Sequence, residues 1–243
     1  MSNLNSGSHD ATPNYNLEIP VALSHPQLAG VIALGLATAL YSLIQNNSTI
    51  AISLISTGLV LSIFYIVLFF IVKRFTNLPR RLRARDELIN EILWQGDEKV
   101  LDVGCGNGIL TFAAAKHLTT GNVIGIDIWL PFAGESCRQL FVKNSKIEGV
   151  YNKVSLANVD VRRLPYDDNT FDIIICGLSL HHISHGEQLH KAMSEITRVL
   201  RPGGCLAIYD IPPVIFSCAR LMKSRAFEVH KKNRNMVFAK KPI

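Results

Sequence analysis

The chain divides itself by where its apolar positions fall. Pro26–Ile44 is a run of 19 residues without a charge, and Ile50–Val72 is a second of 23. At about 1.5 Å of rise per residue, both lengths match the roughly 30 Å hydrocarbon core of a bilayer, the second with some tilt. Only Gln45, Asn46, Asn47, Ser48 and Thr49 separate them. The pair is therefore predicted to form an antiparallel transmembrane hairpin, entered through Ser24 as a helix cap just upstream of Pro26. Ala29, Ala33 and Ala37 recur every four residues and give the first helix a small-residue face that a neighbour can approach closely in lipid. The competing reading is a buried hairpin in a soluble core, but few domains of this size enclose two apolar helices of that length. A signal peptide is disfavoured, because no positive region precedes the first run and a second follows at once. The sequons at Asn46 and Asn47 fall in the connecting loop, too close to the bilayer for glycosylation.

From residue 86 the pattern changes to alternating strand and helix signals. Asp86–Trp94 has Leu88, Ile89, Ile92 and Leu93 at helical spacing. Strands are predicted at Lys99–Val103, Val123–Asp127, Val154–Asp160, Phe171–Leu178 and Cys205–Ile211, with helices near Ile109–Leu118, Glu135–Lys146 and Gln188–Leu200. Near-continuous apolar strands alternating with helices indicate a parallel sheet covered on both faces, and right-handed crossovers make it doubly wound. Phe227–His230 and Met236–Lys240, around the polar turn Lys231–Asn235, read as an antiparallel hairpin that reverses the last strand at the sheet edge. The expected fold is thus α/β, a doubly wound, Rossmann-like, seven-stranded sheet with an antiparallel last strand, preceded by two transmembrane helices. The expected organisation is a polar tail over residues 1–25, the hairpin over 26–72, a basic belt over 73–85 and a catalytic domain over 86–243.

Charge sharpens this division. The net +6 of the 243 residues is unevenly spread. Residues 1–72 carry only Asp10 and Glu18, whereas residues 73–85 hold Lys73, Arg74, Arg80, Arg81, Arg83 and Arg85 and no acid. A nucleic-acid binder would carry its basic stripe on the folded domain, so no nucleic-acid partner is expected. A basic cluster directly after an apolar run fits anionic lipid headgroups and predicts a catalytic domain facing the cytosol. The five cysteines (Cys105, Cys137, Cys176, Cys205, Cys218) form no CxxC pair, so neither a disulfide framework nor a metal site is expected.

In doubly wound sheets, ligands bind beyond the carboxyl ends of the strands. The first strand ends in DVGCGNG, Asp102–Gly108, where Gly104 and Gly106 remove side chains from a ligand's path and Gly108 opens the next helix. The nucleotide fingerprint GxGxxG would need Gly at 109, where this chain has Ile109. The second strand ends in Asp127, about 20 residues on, placed to accept from ribose hydroxyls. The third leads into NVDVRRLPYDDNTFD, with Asp160 near its end. The fourth leads into CGLSLHHIS, which puts His181 and His182 on the same side of the sheet as candidate general bases. Both are also readable as loop residues that only shape the pocket. Tyr209 and Asp210, ending the fifth strand, are second candidates.

Over about residues 97–211, these motifs resemble the class I S-adenosylmethionine-dependent methyltransferases, in particular the small-molecule and quinone group. The segment RVLRPGGCLAIYD (Arg198–Asp210) belongs to the resemblance and has a structural part only. The resemblance implies S-adenosylmethionine as methyl donor. Gly104, Cys105, Gly106 and Gly108 would pass under its methionyl part, with Asp102 fixing that loop and the amino group. Asp127 would hold the ribose, Ile128 would pack on adenine, and Asp160 with the Val161 backbone would bind the adenine amine. Cys176, Gly177 and Leu178 would lie near the sulfonium. Trp129–Phe132 and Ile211–Phe216 are apolar, acceptor-facing segments, so a small lipophilic acceptor is expected. A protein or other polar acceptor, a nicotinamide oxidoreductase and a non-catalytic membrane scaffold retaining the fold are the alternatives. Oligomeric state is not readable from the sequence.

Overall fold

The computed structural model describes residues 12–15, 35–38, 40–41, 44, 48–129, 134–183 and 186–243. The chain divides into two compact units, Asn16–Arg81 and a unit made of Met1–Tyr15 with Leu82–Ile243.

In the first unit the backbone is helical at residues 35–38, 40–41 and 44 and through α1, Ser48–Thr76. Large apolar side chains of α1 face outward at successive positions (Leu59, Val60, Leu61, Ile63, Phe64, Ile66 and Val67 are all exposed), so no face of the helix is polar. Three of its hydroxyls bond within the helix: Ser56 and Thr57 donate to the Ser53 carbonyl and Ser62 to that of Gly58. Among the described residues, no helix is long and apolar enough to cross a membrane. Side chains of α1 are described without a break only over residues 56–68, and most of the expected first span, with the loop after it, lies outside the described residues.

α2 runs over Leu78–Asn90. It begins earlier than the apolar spacing predicted, so the basic belt is largely helical. Its later part buries Ala84, Leu88 and Ile89 and is tied to the far end of the chain by Lys232–Glu91 and Asn233–Glu87 pairs.

The second unit holds one sheet: β1 (Lys99–Val103), β2 (Asn122–Asp127), β3 (Val154–Asn158), β4 (Phe171–Gly177), β5 (Leu200–Tyr209), β6 (Glu228–Asn233) and β7 (Met236–Lys240). Between them lie α3 (Ile109–Ala115), α4 (Gly134–Ile147), α5 (Glu187–Val199) and α6 (Pro212–Lys223). The strand order is β3-β2-β1-β4-β5-β7-β6, parallel from β3 to β5 and antiparallel at β5–β7 and β7–β6. The order reverses between β1 and β4, which sets a crevice at their carboxyl ends. Strands β1 and β4 are buried almost throughout because helices cover both faces.

Two expectations are corrected here. The reversed last strand is not at the edge: β7 inserts between β5 and β6. Its MVFAK sequence is buried at four of five positions, whereas the charged EVHKKN of β6 suits an edge strand. Ile211–Phe216, expected as an acceptor-facing apolar wall, leads into helix α6 and is only partly exposed. Pro212 occupies the first turn of α6, where its missing N–H costs nothing. Val214 and Ile215 then turn into the core, whereas Pro212, Pro213 and Phe216 stay exposed. Strand β5 starts earlier than predicted, carrying Pro202–Gly204 through a bulge in its pairing with β4.

Candidate functional site

The glycine turn is built by crossing β2. Gly104 and Cys105 both donate their N–H groups to the Ile126 carbonyl, at 2.8 and 3.0 Å. Gly104, Gly106 and Gly108 all have positive φ (72°, 52° and 91°), a region where a Cβ is strained. The reasons for glycine differ. A Cβ on Gly104 would overlap Ser179, and one on Gly108 would overlap the ring of Phe112, so those glycines are required by the protein's own packing. A Cβ on Gly106 would meet nothing within 4 Å. That open space over the turn is where a ligand can approach the backbone.

Asp127 accepts from the Gly106 N–H at 2.9 Å through one oxygen and from the Trp129 N–H at 3.2 Å through the other. Each carboxylate oxygen keeps a second acceptor site, so the group both shapes the turn and can hold hydroxyls beside it. Ile128, next along, presents a half-exposed apolar surface. Trp129 carries a positive φ (33°), as does Leu178 (53°) at the end of β4. Strained non-glycine backbone beyond the tips of β2 and β4, the strands on either side of β1, marks this end of the sheet.

Asp102 is buried, and Thr111 donates to its Oδ2 at 2.5 Å. Among the described residues, its Oδ1 is one of three buried side-chain atoms without a hydrogen-bond partner, and the Trp129 indole nitrogen is another. Burial pushes the Asp102 carboxyl up to about 7, opposed by the Thr111 hydrogen bond and reinforced by the nearby Asp127 charge. An acceptor that is buried, unpartnered and electrically strained fits an ammonium donor. S-adenosylmethionine carries such a group, so the residues at this turn fit the methyl donor.

The expected adenine ligand is otherwise engaged. Asp160 follows β3, but its carboxylate is gripped by the Arg162 guanidinium and accepts the Arg162 N–H. That fork holds the carboxyl below its ordinary value. Arg162 also reaches Gln188. The LPYDD segment beyond is a clamp: Arg198 donates to the Leu164 and Tyr166 carbonyls and to Asp168, while Glu195 accepts from the Leu164 N–H. Val161 is half-buried in the same stretch.

Cys105 and Cys176 are inside the fold rather than on its rim, and burial raises both thiols well above their ordinary value. Cys105 contributes main chain to the turn. Cys176 belongs to the core, and a Cβ on Gly177 would run into Leu110, so this end of β4 meets the site through Leu178 and Ser179. Ser179 donates to the Val103 carbonyl at 2.8 Å.

Between β4 and β5 the structure joins residues that are 29 apart in sequence. The His181 ring Nδ1 lies 2.9 Å from Asp210 Oδ1, and the His181 N–H donates to Asp210 Oδ2 at 3.2 Å. Asp210 is fully buried and also accepts from the Ile211 N–H at 2.7 Å. With Nδ1 turned to the Asp210 carboxylate, Nε2 is the ring nitrogen that points away from it. The His182 ring lies beside that of His181, centroids 4.0 Å apart and tilted by 39°. Burial and then the neighbouring His181 lower its pKa, which keeps it neutral near pH 7. Of the two candidate histidines, only His181 has a carboxylate behind it. No cluster able to hold a metal ion occurs among the described residues.

Comparison with known proteins agrees with this geometry. Residues 101–208 match the family described as a methyltransferase domain. The demethylmenaquinone methyltransferase of Lactobacillus johnsonii is 33% identical over 129 residues, which cover 52% of this chain and 49% of that protein. The chain spans about half the length or less of these curated relatives, 39% of a probable methyltransferase of Aspergillus luteorubrus and 49% of the Lactobacillus johnsonii protein. A S-adenosylmethionine-dependent methyltransferase from Aquifex aeolicus superposes with a TM-score of 0.52 at 22% identity, covering 69% of this chain and 91% of that one. The [4+2]-cyclase SpnF superposes with a TM-score of 0.56 at 19% identity, covering 67% and 82%. Over residues 101–208 this chain is thus similar to the methyltransferase-domain family, and its Rossmann-like sheet is the fold of the S-adenosylmethionine-dependent methyltransferase on which it superposes.

Proposed function

We propose that the protein transfers a methyl group from S-adenosylmethionine to a small lipophilic acceptor, working at the cytosolic face of a membrane. The observation that carries the first half is Asp102 Oδ1, a buried acceptor lacking a partner beside an open glycine turn. Asp102 would take the ammonium, Asp127 the ribose hydroxyls, and Ile128 one face of the adenine. Asp160 would take the adenine amine only by sharing or releasing Arg162.

The bound donor supplies an already activated methyl group. The protein's own task is therefore alignment and exclusion of water, worth up to about 7–11 kcal/mol. Where the acceptor atom bears a proton, Nε2 of His181 takes it, and Asp210 stabilises the imidazolium that results, as a buried carboxylate does for a histidine base. His182, kept neutral, lines the same wall without competing for the charge.

The quinone-type acceptor of the named relative, demethylmenaquinone, makes a lipid-soluble substrate the leading choice for this chain. Anchoring is supported by the outward-facing apolar side chains of α1, a helix apolar all round and suited to lipid, and by the basic residues that follow it. Thr12–Tyr15 and Leu82–Ile243 belong to one compact unit.

The test is methyl-label transfer into a membrane lipid extract, with the labelled product identified by mass. Label appearing in a lipid-soluble product carries the proposal. Label appearing only in protein would replace the acceptor. Binding of the donor without transfer to any extract would favour a fold kept for other work, as the likeness to a cyclase allows.

A further inference from the structure

Thr12–Tyr15 precede the apolar runs by sequence, yet they pack on the methyltransferase domain. Tyr15 is buried. Its ring lies 6.4 Å from that of Phe112, which is 4.8 Å from Phe141, and its hydroxyl donates to Glu148 just past α4. The centre of the arrangement is Asn144, a fully buried polar residue on α4. Its Oδ1 accepts from the Asn14 N–H at 2.9 Å, and its Nδ2 donates to the Asn14 carbonyl at 2.8 Å. For Asn14 this amide acts as a neighbouring β-strand would. The second hydrogen of the same Nδ2 goes to the carbonyl of Asn107, inside the glycine turn, at 3.2 Å. One buried amide therefore holds residue 14 and the turn together. A second path runs from the Tyr15 ring to Phe112, whose ring tip occupies the space where Gly108 would carry a Cβ.

We propose that residues 12–15 are a strap that positions the glycine turn for its adenosyl ligand, with Asn144 as the positioning residue that couples the two. The inference rests on the cofactor reading above. It makes the upstream flank of the apolar segments part of the cofactor site, so that site is complete only when the strap is docked.

The test uses full-length protein in detergent, with S-adenosylhomocysteine as calorimetric probe. Asn144→Asp sets a carboxylate against the Asn14 and Asn107 carbonyls, and Tyr15→Ala removes the ring behind Phe112. Each should weaken probe binding about tenfold, the effect of losing buried hydrogen bonds or packing at one point. KM for the donor should rise in step, with kcat at saturating donor within about twofold of wild type. Tyr15→Phe keeps the ring and should bind as wild type does. Met222→Ala, on the buried face of α6, should lower the melting temperature and leave the Kd unchanged. Wild-type affinity in both Asn144→Asp and Tyr15→Ala, or an equal loss in Met222→Ala, overturns the strap while leaving the cofactor reading intact. Failure of the wild-type protein to bind the probe overturns both.

Discussion

Asp102 makes the cofactor reading sensitive to proton linkage. With no ligand, burial holds its carboxyl up near 7 instead of its ordinary 3.8. An ammonium at Oδ1 favours the ionised form and lowers that value, so binding releases a proton wherever the ligand-free group is still protonated. Affinity must therefore rise with pH and level off above about 7. From the titration alone, about one molecule in eleven is ionised at pH 6 and about three in four at pH 7.5, so the Kd should tighten about eightfold, or about 1.2 kcal/mol. At pH 7 close to half a proton should leave on binding. Calorimetry with S-adenosylhomocysteine in two buffers of different ionisation heat reads both quantities. Methylthioadenosine, which lacks the amino-acid part, should show a flat profile, and Asp102→Asn should flatten that of S-adenosylhomocysteine. The folding sign is the converse: a carboxyl raised in the folded state stabilises at low pH, and that contribution fades as pH rises from about 4 through 7. Ligand-free Asp102→Asn should then melt higher than wild type at pH 8. A Kd constant within about twofold from pH 6 to 7.5, or an equal slope for methylthioadenosine, would refute the assignment of Asp102 to the ammonium.

Other variants separate the remaining parts. His181→Ala and Asp210→Asn should each lower kcat about a hundredfold while leaving S-adenosylhomocysteine affinity within about twofold; unaffected turnover in His181→Ala would remove it as the base. Gly106→Ala should cost about 1 kcal/mol of stability from its positive φ but weaken donor binding more than tenfold by filling the open space above the turn, as measured by melting and calorimetry together. Arg162→Ala frees the Asp160 carboxylate from its fork, and should tighten binding of adenosine if that carboxylate serves the adenine amine; weaker binding would show that the Asp160–Arg162 pair works as a unit. Alkaline carbonate should leave the full chain in the membrane pellet, whereas release to the supernatant would count against anchoring through α1.

Much of the second unit was readable because parallel strands buried on both faces leave apolar runs that punctuate the chain. The acids at the strand ends were equally visible, since Asp102, Asp127 and Asp160 stand just where those runs stop. Helix α6 was not recognised, although Val214, Ile215, Cys218, Leu221 and Met222 follow a helical spacing, because Pro212–Pro213 reads as a loop until the first turn of a helix is considered. Asn144 left a fainter trace, a polar residue facing inward from a helix, and nothing around Tyr15 announced a docking segment. The Asp160–Arg162 pair is local in sequence, yet its competition with a ligand depends on which way two side chains turn.

The sequence by itself determined the alternation of elements, the glycine turn and the acids around it, because these depend on periodicity and on residues next to one another. Only the tertiary structure decided that β7 lies inside β6, that His181 rather than His182 is backed by Asp210, that Asp102 titrates near neutrality and that Asn144 joins the turn to residue 14. Each of those depends on groups far apart in the chain meeting where water is excluded, and desolvation is a property of the packed fold that no local pattern encodes.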